Sequence, residues 1–98
     1  MNLEQMLIEN PVIAAIRNDK DLEKVILSKV LIVFVLYGSI MNIKQICERL
    51  KEAGKVVFIH VDLIEGIKGD YAGLLFIKQC GDPYGIISTR PKIGRAHV

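Results

Sequence analysis

The sequence lacks the features that define several broad classes of protein. Its longest uninterrupted apolar run, Val30 to Tyr37, is far shorter than the roughly 20 residues that span a bilayer. The first residues, Met1 to Gln5, lack the basic start and apolar core of a signal peptide. Cys47 and Cys80 are the sole cysteines and show no metal-ligand spacing. These absences predict a cytoplasmic protein with no membrane segment, no metal and no cofactor, whose two reduced thiols pack on helices.

The chain also has little excess charge. It contains 13 basic and 11 acidic side chains, and Lys92 and Arg95 both lie in its last seven residues. Without those two the charge is balanced, and no basic stripe that would follow a phosphate backbone is visible. No residue is therefore assigned to nucleic-acid contact. Five lysines are predicted to lie on a solvated outer face: Lys20, Lys24, Lys44, Lys51 and Lys55.

What the chain does have is a regular alternation of buried strands and helices. The composition is 51% hydrophobic, which is ample for one domain with a core. Such alternation gives a parallel α/β sheet, in either a (βα) barrel or a doubly wound fold. The predicted strands are Val12–Ile16, Val30–Tyr37, the run from Val56 and Gly85–Thr89. The predicted helices cover Leu3–Glu9, a segment ending near Lys29, a segment from Asn42 to Ala53 and Tyr71–Gln79.

Helix ends are marked by capping residues. Asn18 or Asp19 is expected to cap the second helix. Asn42 followed by Gln45 resembles a capping box at the start of the third. Gly54 occupies the position of a C-terminal capping glycine. These signals predict the boundaries of the connecting helices.

The stretch from Val56 to Gly66 is the centre of the predicted sheet. Because strand side chains alternate, Val57, Ile59 and Val61 share an aliphatic face that suits packing against helices. Phe58, His60 and Asp62 share the opposite face, which becomes polar only toward its C-terminal end. Ligands of parallel α/β folds bind at the carboxyl ends of the strands.

Several motifs in order resemble the glycerol-3-phosphate-responsive antiterminators of bacteria. They are residues 10–16 (NPVIAAI), 33–38 (VFVLYG), 42–43 (NI), 60–66 (HVDLIEG) and 85–89 (GIIST). The resemblance implies a (βα) barrel that, with glycerol 3-phosphate bound, binds the leader mRNA of glycerol catabolism genes and permits transcription past a terminator. It covers residues 6–91, about the first half of a family member. We therefore expect residues 1–91 to form the N-terminal half of a (βα)8 barrel.

The final segment, residues 92–98, follows no periodicity. It resembles the translation of a common sequencing-adapter sequence, and we expect it to be a non-native tail on a truncated copy. A genuine basic tail is the alternative. A half barrel with an open edge is expected to self-associate.

Polar residues near the ends of the predicted strands are the candidate ligand contacts. Cations or N–H groups suit the phosphate of the ligand, and carboxylates suit its hydroxyls; glycines permit close backbone approach. The candidates are Arg17 and Arg90 for the phosphate, Asp62 and Glu65 for the hydroxyls, Gly38 and Gly66 for close approach, and His60 and Ser88 as further polar contacts.

Each candidate also has a purely structural interpretation. The carboxylates Asp62 and Glu65 commonly stabilise turns, and the two glycines fit plain strand ends. His60 fits a barrel interior, and Arg17 fits an ion pair with Asp62. No catalytic residue is predicted. Two alternatives to a regulator remain: a barrel enzyme that acts on a phosphorylated small molecule, and an inactive fragment.

Overall fold

The fold is an α/β arrangement of parallel strands with intervening helices, as predicted. It is seen in a computed structural model, which describes residues 12–88. The strands are β1 (Ile13–Ile16), β2 (Ile32–Val35), β3 (Val56–His60) and β4 (Gly85–Ile87), and the helices are α1 (Asp19–Ile26), α2 (Ile43–Glu52) and α3 (Tyr71–Cys80). A 3₁₀ turn, Val61–Leu63, follows β3.

The strands of residues 12–88 form one parallel sheet in the order β1-β2-β3-β4. Neighbours in sequence are therefore neighbours in the sheet, as expected when each helix returns the chain to the same end. The ladders are shorter than the apolar runs that predict them. Leu36 and Tyr37 extend beyond the β2 ladder, and Thr89 lies outside the described residues, as do the predicted helix Leu3–Glu9 and the tail 92–98.

The helices cover one face of the sheet. On that face Ile16, Val35 and Ile59 lie in register and are almost fully buried. Helix α2 buries an apolar stripe at helical spacing, formed by Ile43, Ile46, Cys47 and Leu50. No helix within residues 12–88 has both the length and the apolarity needed to cross a bilayer.

Local caps explain where the helices begin and end. The Asn18 side chain accepts the backbone N–H of Asp21 at 2.8 Å, which confirms one of the two predicted caps of α1. This helix ends at Ile26 rather than near Lys29. At the end of α2, Gly54 has φ +81° and its N–H and that of Lys55 donate to Lys51 and Leu50. This is the Schellman pattern, in which a left-handed glycine stops a helix.

The predicted capping box of α2 is wrong. The Asn42 side chain makes no capping bond to the helix. Its Oδ1 instead accepts the backbone N–H of Ser39 at 2.8 Å. The asparagine folds back because the tight turn after β2 supplies a donor before the helix begins.

The prediction that Lys55 is solvated is also wrong. Only 8% of this residue is exposed. Its ammonium donates to the carbonyl oxygens of Ser28 at 2.8 Å and Val30 at 2.6 Å. A buried ammonium needs such acceptors, and here they join the segment before β2 to the segment before β3.

The two cysteines lie on helices with free thiols, as predicted. Cys47 is fully buried on α2, and Cys80 is partly buried at the end of α3. Burial raises the pKa of the Cys47 thiol to about 12. That side chain therefore acts as a small apolar group in the core.

Candidate functional site

The alternation predicted for β3 is confirmed. Val57, Ile59 and Val61 are buried against the helices, whereas Phe58 and His60 are half-buried on the opposite side. The register pairs His60 with Ile87 of β4. The polar end of β3 therefore opens beside the end of β4, at the carboxyl edge of the sheet.

Asp62 and Ser88 meet at this edge. The Ser88 hydroxyl lies 3.0 Å from Asp62 Oδ2 and 3.3 Å from Oδ1, and donates to the carboxylate. Asp62 belongs to the 3₁₀ turn after β3, and Ser88 directly follows β4. The contact thus joins the ends of two neighbouring strands. Because β3 and β4 are parallel neighbours, the residues that follow them lie at the same edge of the sheet.

Gly69 closes over this pair from the loop that leads into α3. A Cβ atom at Gly69 would lie 3.1 Å from Asp62 Oδ1 and 3.4 Å from Ser88 Oγ. Next to it, Asp70 caps α3 by accepting the Gly73 N–H at 2.9 Å. The glycine was missed by sequence reasoning, because its neighbours in space come from other loops.

His60 contributes a buried ring nitrogen to the same end of the sheet. Its Nδ1 has no hydrogen-bond partner within the part of the chain that the structure describes. An unsatisfied buried polar atom costs about 1–3 kcal/mol. Buried polar atoms without a hydrogen-bond partner are rare in folded proteins. This one therefore makes His60 a candidate ligand contact rather than a residue that only packs in the sheet.

The loops after β2 and β3 are joined by their backbones. Gly38 O accepts the Glu65 N–H at 2.9 Å, and the Ile40 N–H donates to Glu65 O at 2.8 Å. Ser39 and Glu65 form an isolated parallel bridge. The Glu65 backbone therefore extends the β2–β3 pairing into the loops, while its side chain is exposed.

The two candidate glycines here approach the protein's own side chains. Gly38 has φ +114°, and a Cβ there would lie 3.1 Å from Ile46 Cδ1. Gly66 has φ +85°, and a Cβ would lie 3.0 Å from Ile40 Cγ2. Both positions need glycine for the fold itself, since positive φ and close packing each disfavour a side chain.

Of the two arginines predicted to hold a phosphate, Arg17 is the one that lies within residues 12–88. Arg17 follows β1 and is exposed; its backbone N–H donates to Asp21 Oδ2 at 2.9 Å. β1 is two strands from β3, a spacing of about 10 Å. No ion pair of Arg17 with Asp62 is formed in residues 12–88. Arg90 lies outside the described residues.

Tyr37 adds a contact that the sequence did not reveal. Its hydroxyl donates to Asp19 Oδ1 at 2.7 Å. Burial, followed by this hydrogen bond, raises the pKa of Tyr37 well above its ordinary value. The bond joins the segment after β2 to the start of α1, and Tyr37 itself packs partly buried against the core.

No group of three histidine, cysteine or acidic side chains suited to a metal ion occurs between residues 12 and 88. The site is therefore described by its hydrogen-bonding groups. Asp62, Ser88 and His60 offer carboxylate, hydroxyl and imidazole at one end of a parallel sheet. This chemistry suits a small hydroxyl-bearing ligand.

Comparison with known proteins decides the family. A model described as glycerol-3-phosphate responsive antiterminator matches residues 12–97. The chain belongs to this antiterminator family. The residues that form β1 to β4, and with them Asp62 and Ser88, all lie inside the matched region.

Relatives of this antiterminator chain are known in sequence and in structure. It is 41% identical over 96 residues to the Escherichia coli (strain K12) protein "Uncharacterized protein YgcP", covering 98% of this chain and 50% of that protein. A crystal structure of the glycerol uptake operon antiterminator regulatory protein from Listeria monocytogenes is 33% identical, with a TM-score of 0.75 over 80% of this chain and 42% of that one. A glycerol uptake operon antiterminator-related protein from Thermotoga maritima is 32% identical, with a TM-score of 0.71 over 82% and 44%. The chain thus spans about half the length of the proteins that it matches.

Proposed function

We propose that this chain carries the sensing site of a cytoplasmic transcription antiterminator, which binds leader mRNA of glycerol catabolism genes in response to glycerol 3-phosphate. Membership of the family supports the regulatory role and the ligand. The observation that carries the proposal is the Asp62–Ser88 contact at the carboxyl ends of β3 and β4. Small ligands of parallel α/β folds bind at that end of the sheet.

Five of the candidates then have a chemical role. The Asp62 carboxylate accepts a hydrogen bond from a ligand hydroxyl, and the Ser88 hydroxyl holds that carboxylate in place. His60 supplies a further polar contact. Arg17 and Arg90 serve the phosphate, since guanidinium groups form charge-assisted hydrogen bonds with phosphate oxygens.

The chain fits the first half of a (βα)8 barrel in this proposal. Four parallel strands in sequence order are half of such a barrel, and the matched relatives are about twice as long. Phosphate sites in these barrels usually form from the loops after strands seven and eight. The first half would then supply the hydroxyl contacts and part of the phosphate contacts.

The test is calorimetric titration of the chain with glycerol 3-phosphate, comparing Asp62→Ala with Glu52→Ala. Loss of one hydrogen bond to a charged group is worth about 1.5 kcal/mol, or about tenfold in affinity. We expect that loss for Asp62→Ala and none for Glu52→Ala, which removes an exposed carboxylate at the opposite end of the sheet. Equal affinities of the two variants would refute the role of Asp62.

RNA binding and catalysis are tested separately. Retention of leader RNA that rises with glycerol 3-phosphate and falls with salt supports the regulator, because phosphate contacts release counterions. Conversion of glycerol 3-phosphate, followed by ³¹P NMR, would instead identify a barrel enzyme. Ligand binding without either result would leave a sensor half that needs further chain to bind RNA.

A further inference from the structure

The loop before α3 brings Gly69 into close contact with the Asp62–Ser88 pair. A Cβ atom at Gly69 would lie 3.1 Å from Asp62 Oδ1, 3.3 Å from Val61 Cγ1 and 3.4 Å from Ser88 Oγ. The first two distances are shorter than ordinary van der Waals contact, so a neighbour would have to shift by a few tenths of an ångström. Val61 is fully buried, whereas Asp62 is half-buried and Ser88 is exposed. A side chain at position 69 would therefore displace the carboxylate rather than the core.

The backbone at Gly69 does not itself require glycine. Gly38, Gly54 and Gly66 have positive φ, the region in which a side chain is strained, and Gly69 does not. Alanine at position 69 would thus meet no left-handed backbone strain. Its effect would come from the contact with Asp62 and the groups around it, which the glycine avoids.

The loop around Gly69 is held in place from both sides by α3. After it, the Asp70 side chain accepts the Gly73 N–H at 2.9 Å, and the Asp70 carbonyl accepts the Leu74 N–H at 2.9 Å. Before it, the Lys68 carbonyl oxygen packs so closely on Gly73 that a Cβ atom there would overlap it. Because both neighbours are fixed, Gly69 has no room to withdraw from the carboxylate. The loop is therefore a rigid wall beside the pair.

We propose that Gly69 is a positioning residue of the sensing site. Its lack of a side chain lets the loop lie against Asp62 Oδ1 while the Ser88 hydroxyl holds Oδ2, so the carboxylate keeps one orientation. An ionised carboxylate only accepts hydrogen bonds, through about four lone-pair sites, and the ligand group that it meets is a donor such as a hydroxyl. The inference rests on the proposed sensing role. It adds that the hydroxyl end of the ligand is bound beside the wall formed by residues 68–70.

The test is a double-mutant cycle on the affinity for glycerol 3-phosphate, measured by calorimetric titration of the 98-residue chain. Gly69→Ala should weaken binding by about threefold to tenfold, at most the value of one hydrogen bond to a charged group. In the Asp62→Ala background the same change should have almost no further effect, because substitutions of residues in contact are not additive. A glycine that merely supports the fold would weaken binding by the same factor in both backgrounds.

Gly54→Ala is the matched control. It adds the same methyl group in open space, between α2 and the start of β3, at the opposite end of the sheet. We expect it to leave the affinity unchanged, although alanine is strained at its φ of +81°. Circular dichroism checks that each variant is folded. If Gly69→Ala does not fold, an NMR titration of the wild-type chain decides, because the Gly69 amide signal should shift as glycerol 3-phosphate binds.

Three results would overturn the inference and leave the sensing role intact. They are an unchanged affinity of Gly69→Ala, an equal loss of affinity with and without the Asp62 carboxylate, and a Gly69 amide signal that does not move at saturation with glycerol 3-phosphate. Failure of the wild-type chain to bind glycerol 3-phosphate would instead refute the sensing role, and this inference with it.

Discussion

Lys55→Met is the substitution whose effect follows most directly from the structure. Methionine retains the length of the lysine side chain and removes its ammonium, which donates to the carbonyls of Ser28 and Val30. The change therefore tests the two hydrogen bonds without opening a large cavity. The ammonium joins the segment before β2 to the segment before β3, and these two strands pair with each other at the centre of the sheet.

The magnitude comes from the two bonds and the burial. A hydrogen bond to a charged group contributes about 1.5–3 kcal/mol, so two contribute about 3–6 kcal/mol. Relief from burying an ammonium offsets part of this. We expect the free energy of unfolding to fall by about 2–4 kcal/mol, a large share of the about 5–15 kcal/mol typical of a folded domain.

The assay is urea unfolding followed by circular dichroism, at a fixed chain concentration. Lys44→Met is the control. Lys44 Nζ lies 3.6 Å from Glu48 Oε2, in an exposed i,i+4 ion pair on α2. Such pairs contribute about 0.3–0.5 kcal/mol. If Lys55→Met and Lys44→Met lower the urea midpoint by similar amounts, the buried lysine contributes no more than a surface one and the reasoning fails.

Two further predictions concern the packing of α3 and α2. Gly73→Ala should lower the free energy of unfolding by about 3 kcal/mol, because the new Cβ would lie 1.8 Å from the Lys68 carbonyl oxygen. Gly54→Ala should lower it by about 1 kcal/mol, because Gly54 has φ +81° but faces open space. A lower urea midpoint for Gly54→Ala than for Gly73→Ala would contradict this. Thiol labelling at pH 8 should modify Cys80 before Cys47, because the thiolate is the form that reacts. With a pKa of about 12, roughly one Cys47 side chain in ten thousand is a thiolate at that pH. Equal labelling of both cysteines in the folded chain, measured by peptide mass spectrometry, would show that Cys47 is not shielded.

Local sequence patterns predicted the helices and the faces of the strands well. The apolar stripe of α2 is visible in the sequence, because its spacing is set by the helix itself. Gly54 was identified as its end because a left-handed residue at that position is almost always glycine. Val57 and Ile59 were assigned to the buried face by simple alternation. In each of these cases the cause lies within a few residues of the effect.

Contacts between distant segments were not predictable in the same way. Lys55 is buried because carbonyls 25 and 27 residues earlier turn toward it, and its own neighbours in sequence give no sign of this. The bond between Tyr37 and Asp19 likewise depends on how β2 and α1 meet. The two candidate glycines were identified as positions of close backbone approach, but the side chains that they contact became visible only in the fold.

Strand alternation predicted that Asp62 shares a face of β3 with Phe58 and His60. Asp62 does lie at the carboxyl end of the sheet, but in the 3₁₀ turn that follows β3. The β2–β3 register pairs Val35 with Ile59, whereas the bridge beyond it pairs Ser39 with Glu65. Between these two pairs the chain advances four positions after β2, from Val35 to Ser39, and six positions after β3, from Ile59 to Glu65. The β3 side therefore has two extra residues. The 3₁₀ turn Val61–Leu63 accommodates them, and so it is this turn, rather than the strand, that presents Asp62 to Ser88.

The backbone bonds through Glu65 have a consequence for the ligand site proposed at this end of the sheet. They make the loops after β2 and β3 a single preorganised unit, whose conformational entropy is lost when the chain folds and not when a ligand arrives. A small ligand with few contacts can then bind without ordering either loop. In the proposed sensing role, a movement that signals ligand binding would then originate outside this unit.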